Sequence, residues 1–202
     1  TRENILQAYK TVLASKYSER AITYRRQYGL DDIETPMCAA CIVMLDPKAS
    51  GVLYTVNPEN PFSETVKINS VSGLGEYLVD GSASPDLFIV SKEADIISEQ
   101  CLGNKEFRMI NLKDGGIELE TIPKAEQSLP SIDSSIIFKL RDYALILEEY
   151  FGCPQDVEWA VDKNGGLFIL QSRPLHVTRP VTLDENIEIN ELNHEIETTV
   201  GN

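Results

Sequence analysis

The sequence has 202 residues, of which 42% are hydrophobic, and a formal net charge of −14. This length suits one domain or two small lobes, and the apolar content is sufficient for a packed core. The negative charge repels a phosphate backbone and argues against a nucleic-acid partner. No apolar run approaches the ~20 residues that a membrane span needs, so we expect no membrane partner and a cytoplasmic protein. ATP remains possible, because a few placed cations outweigh the global charge locally.

The chain begins with two predicted helices, over residues 3–16 and 18–28, and Ser18 can cap the second. Because it starts inside a helical pattern and lacks an initiator Met, we interpret it as a piece of a longer protein. The following segment, 37–46, contains MCAACIVML and predicts a buried strand in which Cys38 and Cys41 pack in the core. A redox or metal role for this CxxC pair is the alternative, although the sequence has no second CxxC and no nearby His pair.

The rest of the chain mixes strand and helix patterns without regular βαβ alternation, which predicts an α+β fold with helices packed on a mixed or antiparallel sheet. The strongest helix pattern covers 136–151 and is stopped by Gly152 and Pro154. The predicted strands cover 51–56, 65–71 and 86–91, with a hairpin around 113–116 and a final hairpin over 156–173.

The final hairpin contains Asn164-Gly165, the preferred pair for a two-residue turn. That turn would place Lys163 opposite Gly166 and fix the register of the whole hairpin. It predicts Trp159 opposite Leu170 and Val161 opposite Phe168 on a face that packs in the core. The other face would place Glu158 opposite Gln171, and Asp156 opposite Arg173.

This polar face groups two carboxylates, an amide oxygen and a guanidinium within cross-strand reach. Oxygen ligands on a rigid hairpin suit Mg²⁺, which is commonly held by one or two carboxylates and by substrate phosphates. A neighbouring Arg can make a forked contact with a phosphoryl group. The alternative is a solvated sheet face carrying an exposed Asp–Arg ion pair.

The residues DVEW (156–159) and LQSRP (170–174) resemble the end of the ATP-grasp domain shared by phosphoenolpyruvate synthase, pyruvate phosphate dikinase and rifampin phosphotransferase. Further stretches agree with the family in order along 18–176, including Gly103 and Lys105 of a recurring G-x-K. The other matching stretches are RAITYR (20–25), ASGVLYTVNP (49–58; family SGVxFTxxP), GLGE (73–76), VDG (79–81) and SPD (84–86).

The resemblance implies that residues 1–176 are the C-terminal part of an ATP-grasp domain and that ATP and Mg²⁺ are its cofactors. Glu158 and Gln171 would hold Mg²⁺, and Arg173 would contact the terminal phosphates as the catalytic residue. The adenine would bind at a hinge near Met44 and Leu45. Glu76 either faces the phosphate channel or caps its own loop.

The resemblance further implies that a parent enzyme transfers a phosphoryl group from Mg·ATP to a carrier histidine and then to pyruvate. The sequence has no R-S-S-A type phosphate motif, and neither His176 nor His194 has the Thr/Ser-rich context of a phosphorylated histidine. We therefore expect the carrier domain to be a partner in the same chain, reached through an acidic linker at 177–202, and the fragment alone to be inactive. Two alternatives remain: a fragment of a rifampin-phosphotransferase-like dikinase, and a catalytically inert binding module.

Overall fold

The computed structural model describes residues 1–76, 84–112 and 115–177. The chain divides into two compact units, one over Thr1–Met44 and the other from Leu45 onward. No helix in the described parts of the chain is both long enough and apolar enough to span a bilayer.

The first unit contains helices α1 (Arg2–Ser15) and α2 (Glu19–Gln27), which confirm the two predicted helices. The Ser18 side chain caps α2 by accepting a hydrogen bond from the backbone N–H of Ala21 at 3.3 Å. Arg25 is buried and joins the ends of the two helices. Its Nε lies 2.7 Å from the Asp32 carboxylate, and its Nη1 donates to the Lys16 carbonyl at 2.7 Å.

The predicted strand over 37–46 is wrong. This segment forms neither helix nor strand, and both Cys38 and Cys41 are exposed, so the prediction that they pack in the core is also wrong. Val43 is 85% exposed. An apolar run forms a strand only where a neighbouring backbone accepts and donates its hydrogen bonds. None of the strands in the described residues pairs with this segment.

The second unit is built on a 6-stranded antiparallel sheet with the strand order β4-β3-β2-β1-β7-β8. A separate hairpin, β5–β6, confirms the hairpin predicted around 113–116, of which 113 and 114 lie outside the described residues. The strands are β1 (Pro47–Tyr54), β2 (Thr65–Ser72), β3 (Asp86–Ser91), β4 (Ile97–Cys101), β5 (Phe107–Asn111), β6 (Ile117–Thr121), β7 (Gln155–Asp162) and β8 (Leu167–Pro174).

Helix α3 (Ser134–Phe151) packs across one face of this sheet and confirms the strongest helix prediction. It begins two residues before the predicted start because Asp133 caps it, and it ends at Gly152, whose φ of 66° is left-handed. Its apolar stripe meets the alternating side chains of the strands. The core joins Ile137, Leu140 and Ala144 of the helix to Leu53, Ile68, Phe88, Val157 and Trp159 of the sheet. The fold is therefore α+β, as predicted.

A buried ion pair between Asp86, on β3, and Lys105 stabilises the neighbouring loops. Asp86 is fully buried, and its carboxylate accepts hydrogen bonds from Lys105 Nζ and from the backbone N–H of Gly103. The other carboxylate oxygen accepts from the Ser131 backbone N–H at 2.7 Å and from its hydroxyl at 2.6 Å. Gly103 has no room for a side chain, because a Cβ there would lie 2.0 Å from the Ser84 carbonyl oxygen. The SPD and G-x-K matches thus meet in one structural cluster.

The turn of the last hairpin differs from the prediction. Asp162 N–H donates to the Gly166 carbonyl, and Gly165 N–H donates to the Asp162 carbonyl, so the loop has three residues, 163–165. Gly165 alone in this loop has a positive φ, 83°, whereas the predicted turn required the same of Asn164. The pairing next to the turn is consequently shifted by one residue, with Trp159 opposite Ile169 and Ala160 opposite Phe168.

A β-bulge corrects the register before the polar residues are reached. The ladder is irregular between Glu158 and Trp159, and Leu170 is the extra residue on β8. Beyond the bulge Glu158 pairs with Gln171, and Asp156 pairs with Arg173, as predicted. The predicted core positions of Phe168 and Leu170 are wrong: the two side chains are 40% and 43% exposed. A one-residue shift moves a side chain to the other face, and β8 is an edge strand.

Candidate functional site

Polar side chains are grouped on the sheet face that points away from α3. Val157 and Trp159 belong to the core beneath α3, so the alternating Asp156 and Glu158 point to the opposite face. Gln171 and Arg173 lie directly across from these carboxylates on β8. Since opposite residues of an antiparallel pair have Cβ atoms about 4.5–5.5 Å apart, the four side chains form one patch. We call Asp156, Glu158, Gln171 and Arg173 the hairpin patch.

Asp156 fixes the Arg173 side chain. Arg173 Nε and Nη2 lie 3.0 and 2.8 Å from the same Asp156 carboxylate oxygen. The Asp156 side chain is only 11% exposed, whereas that of Arg173 is 65% exposed. The hydrogen bond to Asp156, followed by its charge, raises the pKa of Arg173 above its ordinary value. The guanidinium is thus anchored on its inner side and keeps its positive charge on the solvent side.

Glu158 and Gln171 supply the oxygen atoms that suit a hard cation. Glu158 is half-buried and Gln171 is exposed, and the two face one another across β7 and β8. Carboxylate and amide oxygens on paired strands fit Mg²⁺, which needs few protein ligands when phosphates complete its shell. No group of three or more His, Cys, Asp or Glu side chains capable of holding a metal occurs in the described residues.

Tyr54 extends the patch onto a third strand and was missed by the sequence reasoning. It is the last residue of β1 and lies directly opposite Asp156. Burial raises the pKa of the Tyr54 phenol, and the negative charge of Asp156 raises it further, whereas the positive charge of Arg173 lowers it. Only the pairing of β1 with β7, which joins residues about 100 positions apart, could have revealed this neighbour.

The other predicted site residues are not among the strand-pairing neighbours of the hairpin patch in the described part of the chain. Met44 is 68% exposed and belongs to the first unit. Leu45 is half-buried, and its carbonyl accepts a hydrogen bond from Asn111 Nδ2 at 2.7 Å. Glu76 is exposed, and residues 77–83, which follow it, lie outside the described part of the chain. The hinge role of Met44 and Leu45 and the two alternatives for Glu76 remain predictions.

Comparison with known families identifies the chain. Residues 1–194 match the family model described as the pyruvate phosphate dikinase AMP/ATP-binding domain. The chain belongs to this family. The match confirms the resemblance drawn from the motifs, and it places the hairpin patch in a domain type that is described as binding AMP or ATP.

Curated relatives share about a third of their residues with the chain. A rifampicin phosphotransferase from Bacillus cereus is 34% identical over 99% of this chain. A phosphoenolpyruvate synthase from Aquifex aeolicus is 34% identical over 85% of the chain, and one from Escherichia coli is 34% identical over 84%. The chain spans 22% of the B. cereus and A. aeolicus proteins and 23% of the E. coli protein.

Proposed function

We propose that the hairpin patch binds the phosphates of Mg·ATP, with Glu158 and Gln171 as magnesium ligands and Arg173 as the residue that contacts the terminal phosphate. The observation that carries this proposal is the cross-strand grouping of these three side chains on the face away from α3. Membership of an AMP/ATP-binding domain family supports it. The solvated-face alternative predicts the same exposure, so mutation is required to separate the two.

The residues of the patch divide the work of phosphoryl transfer. Asp156 holds Arg173 through two contacts to one oxygen, so the guanidinium needs little reorganisation to meet a phosphate. Glu158 and Gln171 would hold Mg²⁺, whose charge when bound offsets that of the phosphates. Phosphoryl transfer depends mainly on positioning and charge, and this patch supplies both. The adenine would contact the Met44–Leu45 segment.

We further propose that the chain is the C-terminal part of the ATP-grasp domain of a phosphoenolpyruvate synthase-like enzyme. In that enzyme the phosphoryl group would pass to a histidine of a carrier domain and then to pyruvate. The segment 177–202 would be the acidic linker to the carrier domain. Several relatives named phosphoenolpyruvate synthase support this assignment.

A second candidate is a dikinase similar to rifampicin phosphotransferase. The observation that favours it is alignment coverage: the B. cereus relative covers 99% of the chain, whereas the A. aeolicus synthase covers 85%. The two candidates share the ATP half-reaction and differ in the final acceptor. Assay of the longer protein with pyruvate and with rifampicin separates them.

The nucleotide site is tested by titrating Mg·ATP into the 202-residue chain, followed by NMR so that millimolar affinities are measurable. We expect weak binding, because the R-S-S-A type phosphate motif does not occur in this sequence. Arg173→Ala and Glu158→Ala should each weaken binding about tenfold or more, since each removes a contact to a charged group. Glu99→Ala, an exposed carboxylate on β4, is the matched control. Equal binding by Glu158→Ala and Glu99→Ala would remove the magnesium assignment.

The dependence of ATP binding on magnesium is a second test of the proposed site. Removing magnesium with a chelator should weaken ATP binding by the wild-type chain and have little additional effect on Glu158→Ala. If wild type shows no saturable binding and the same substitutions leave the longer protein fully active, the patch is a solvated sheet face. That outcome would favour the inert binding module.

A further inference from the structure

Tyr54 lies in one cross-strand row with the anchored arginine. Tyr54 on β1 pairs with Asp156 on β7, and Asp156 pairs with Arg173 on β8. Neighbouring strands are about 4.8 Å apart, so the row places the phenol two strands from the arginine backbone. The flexible Arg173 side chain extends across to β7 and contacts Asp156. The guanidinium is therefore closer to the phenol than the Arg173 backbone is.

The phenol points to the same face as the hairpin patch. Leu53, the preceding residue, is 0% exposed and belongs to the core beneath α3, so alternation directs Tyr54 to the opposite face. Burial is the main cause of the raised pKa of the phenol. The charges of Asp156 and Arg173 also act on it, in opposite directions. On the other side of Tyr54, Lys67 pairs with Glu59 at 2.7 Å. Lys67 is thus paired with Glu59, and the charges that act on the Tyr54 hydroxyl are those of Asp156 and Arg173.

The Tyr54 hydroxyl has unused hydrogen-bonding capacity. Among the described residues, no hydrogen bond contributes to the shifted pKa of the phenol, although the side chain is half-buried. A phenol both donates and accepts, and a partly buried hydroxyl gains most when a charged acceptor arrives. Arg173 is close enough for its charge to act on the phenol, and its side chain is 65% exposed. A donor and a cation that converge in this way suit one anionic group.

We propose that the Tyr54 hydroxyl donates a hydrogen bond to the same phosphate group that Arg173 contacts. This inference rests on the proposed function, and it adds a third strand to the nucleotide site. A phenol is protonated near neutral pH, so the Tyr54 hydroxyl is available as a donor. Asp156 holds the arginine from its inner side, and the phosphate oxygens would meet the guanidinium and the phenol from the solvent side.

The test compares Tyr54→Phe with wild type in Mg·ATP and AMP titrations of the 202-residue chain. Phe stands at this position in the SGVxFTxxP motif quoted above, so the strand should accept the ring without its hydroxyl. We expect Tyr54→Phe to weaken Mg·ATP binding about tenfold, the loss typical of a hydrogen bond to a charged group. AMP affinity and the urea midpoint of unfolding should not change. Tyr143→Phe, a half-exposed tyrosine on α3, is the control.

Each outcome has a definite meaning. Unchanged ATP affinity in Tyr54→Phe, together with weaker binding by Arg173→Ala, overturns this inference and leaves the proposed function standing. An equal loss for ATP and AMP also overturns it, because the hydroxyl would then support the fold or the nucleoside. If Arg173→Ala binds Mg·ATP as well as wild type, or if wild type shows no saturable binding and the same substitutions leave the longer protein fully active, the proposed function fails first and the inference fails with it.

Discussion

Lys105 and Asp86 form an ion pair inside the protein, with side-chain exposures of only 4% and 0%. Breaking a buried pair leaves one charge without a partner, which is far more costly than losing an exposed pair. We expect Lys105→Met to lower the free energy of unfolding by about 3–5 kcal/mol. Urea unfolding followed by the fluorescence of the single, fully buried Trp159 measures this change. Lys163→Met is the control, because its pair with Asp46 is exposed on both sides.

Gly51 is required by the close approach of β1 to its neighbours. A Cβ at Gly51 would lie 1.9 Å from the Asn69 carbonyl oxygen and 2.8 Å from the Trp159 ring. Gly51→Ala should therefore destabilise the fold by about 3 kcal/mol, at the upper end of overpacking effects. Gly75→Ala is the contrasting variant, since among the described residues its Cβ would meet only the Ser50 side chain, with Oγ at 3.3 Å and Cβ at 3.7 Å. Similar unfolding midpoints for the two variants would contradict the strand packing described above.

Asp133 should make stability depend on pH at the acidic end. Hydrogen bonds from the Ser135 hydroxyl, the largest cause, and from the Ile136 N–H lower the pKa of Asp133. The stabilisation is complete above the unfolded-state pKa and is lost as pH falls through the folded-state value. We expect Asp133→Ala to cost about 1 kcal/mol at neutral pH.

The difference between wild type and Asp133→Ala should shrink on acidification below about pH 4. Asp133→Asn retains a capping oxygen without a charge, so it should lose less stability than Asp133→Ala at neutral pH. The difference in stability between these two variants should not change with pH. Urea unfolding at a series of pH values checks both expectations. A constant difference between wild type and Asp133→Ala across the series would show that the carboxylate charge contributes nothing at this cap.

Asp156 and Arg173 should behave as one unit in nucleotide binding. Asp156→Ala removes the group that holds the guanidinium, so it should weaken Mg·ATP binding while leaving Arg173 in place. The double variant should bind no more weakly than Arg173→Ala alone, because Asp156 then has nothing to position. The double-mutant cycle, measured by titration, supplies the coupling. Additive losses would indicate that Asp156 contacts the ligand independently of Arg173.

Thiol labelling distinguishes the structure from the sequence-based expectation for the CxxC segment. Cys38, Cys41 and Cys101 are exposed, whereas Cys153 is partly covered. Under native conditions we expect fast reaction of the first three with a thiol reagent and slower reaction of Cys153. In the double variant Cys38→Ser/Cys41→Ser, two fewer thiols should react in the fast phase. Slow reaction of both residues in wild type would restore the core interpretation.

The elements with strong local signals were predictable. Helix α3 has regular apolar spacing, a capping Asp133 and a terminating Gly152, all of which act within a few residues. Strand β4 was not predicted, because its sequence ISEQC is largely polar and exposed. It exists through its hydrogen bonds with β3. Tertiary pairing decides such edge strands, and a single sequence does not display it.

The strand pairing within the hairpin patch was predicted correctly because two errors in the hairpin register cancel. The turn has one residue more than expected, and the bulge at Leu170 restores the pairing of Glu158 with Gln171. The positions between turn and bulge, such as Phe168, therefore received the wrong face. The residues of the bulge carry no local sign that β8 must bend there, since Ile169 and Leu170 are ordinary strand formers. Tyr54 was missed for the same reason: its neighbours are set by strand pairing.

The long separation between β1 and β7 governs when the patch can exist. Gln155 N–H donates to Thr55 Oγ1 at 2.9 Å across 100 residues of chain. Contacts of such separation are made late and slowly in folding, because loop closure precedes any gain from the contact. During synthesis the N-terminal part emerges first, so β1 through β4 are made before the last hairpin, whose strand β7 pairs with β1. A nascent chain thus has no complete patch, and the nucleotide binding proposed for the patch would require β8 to have joined the sheet.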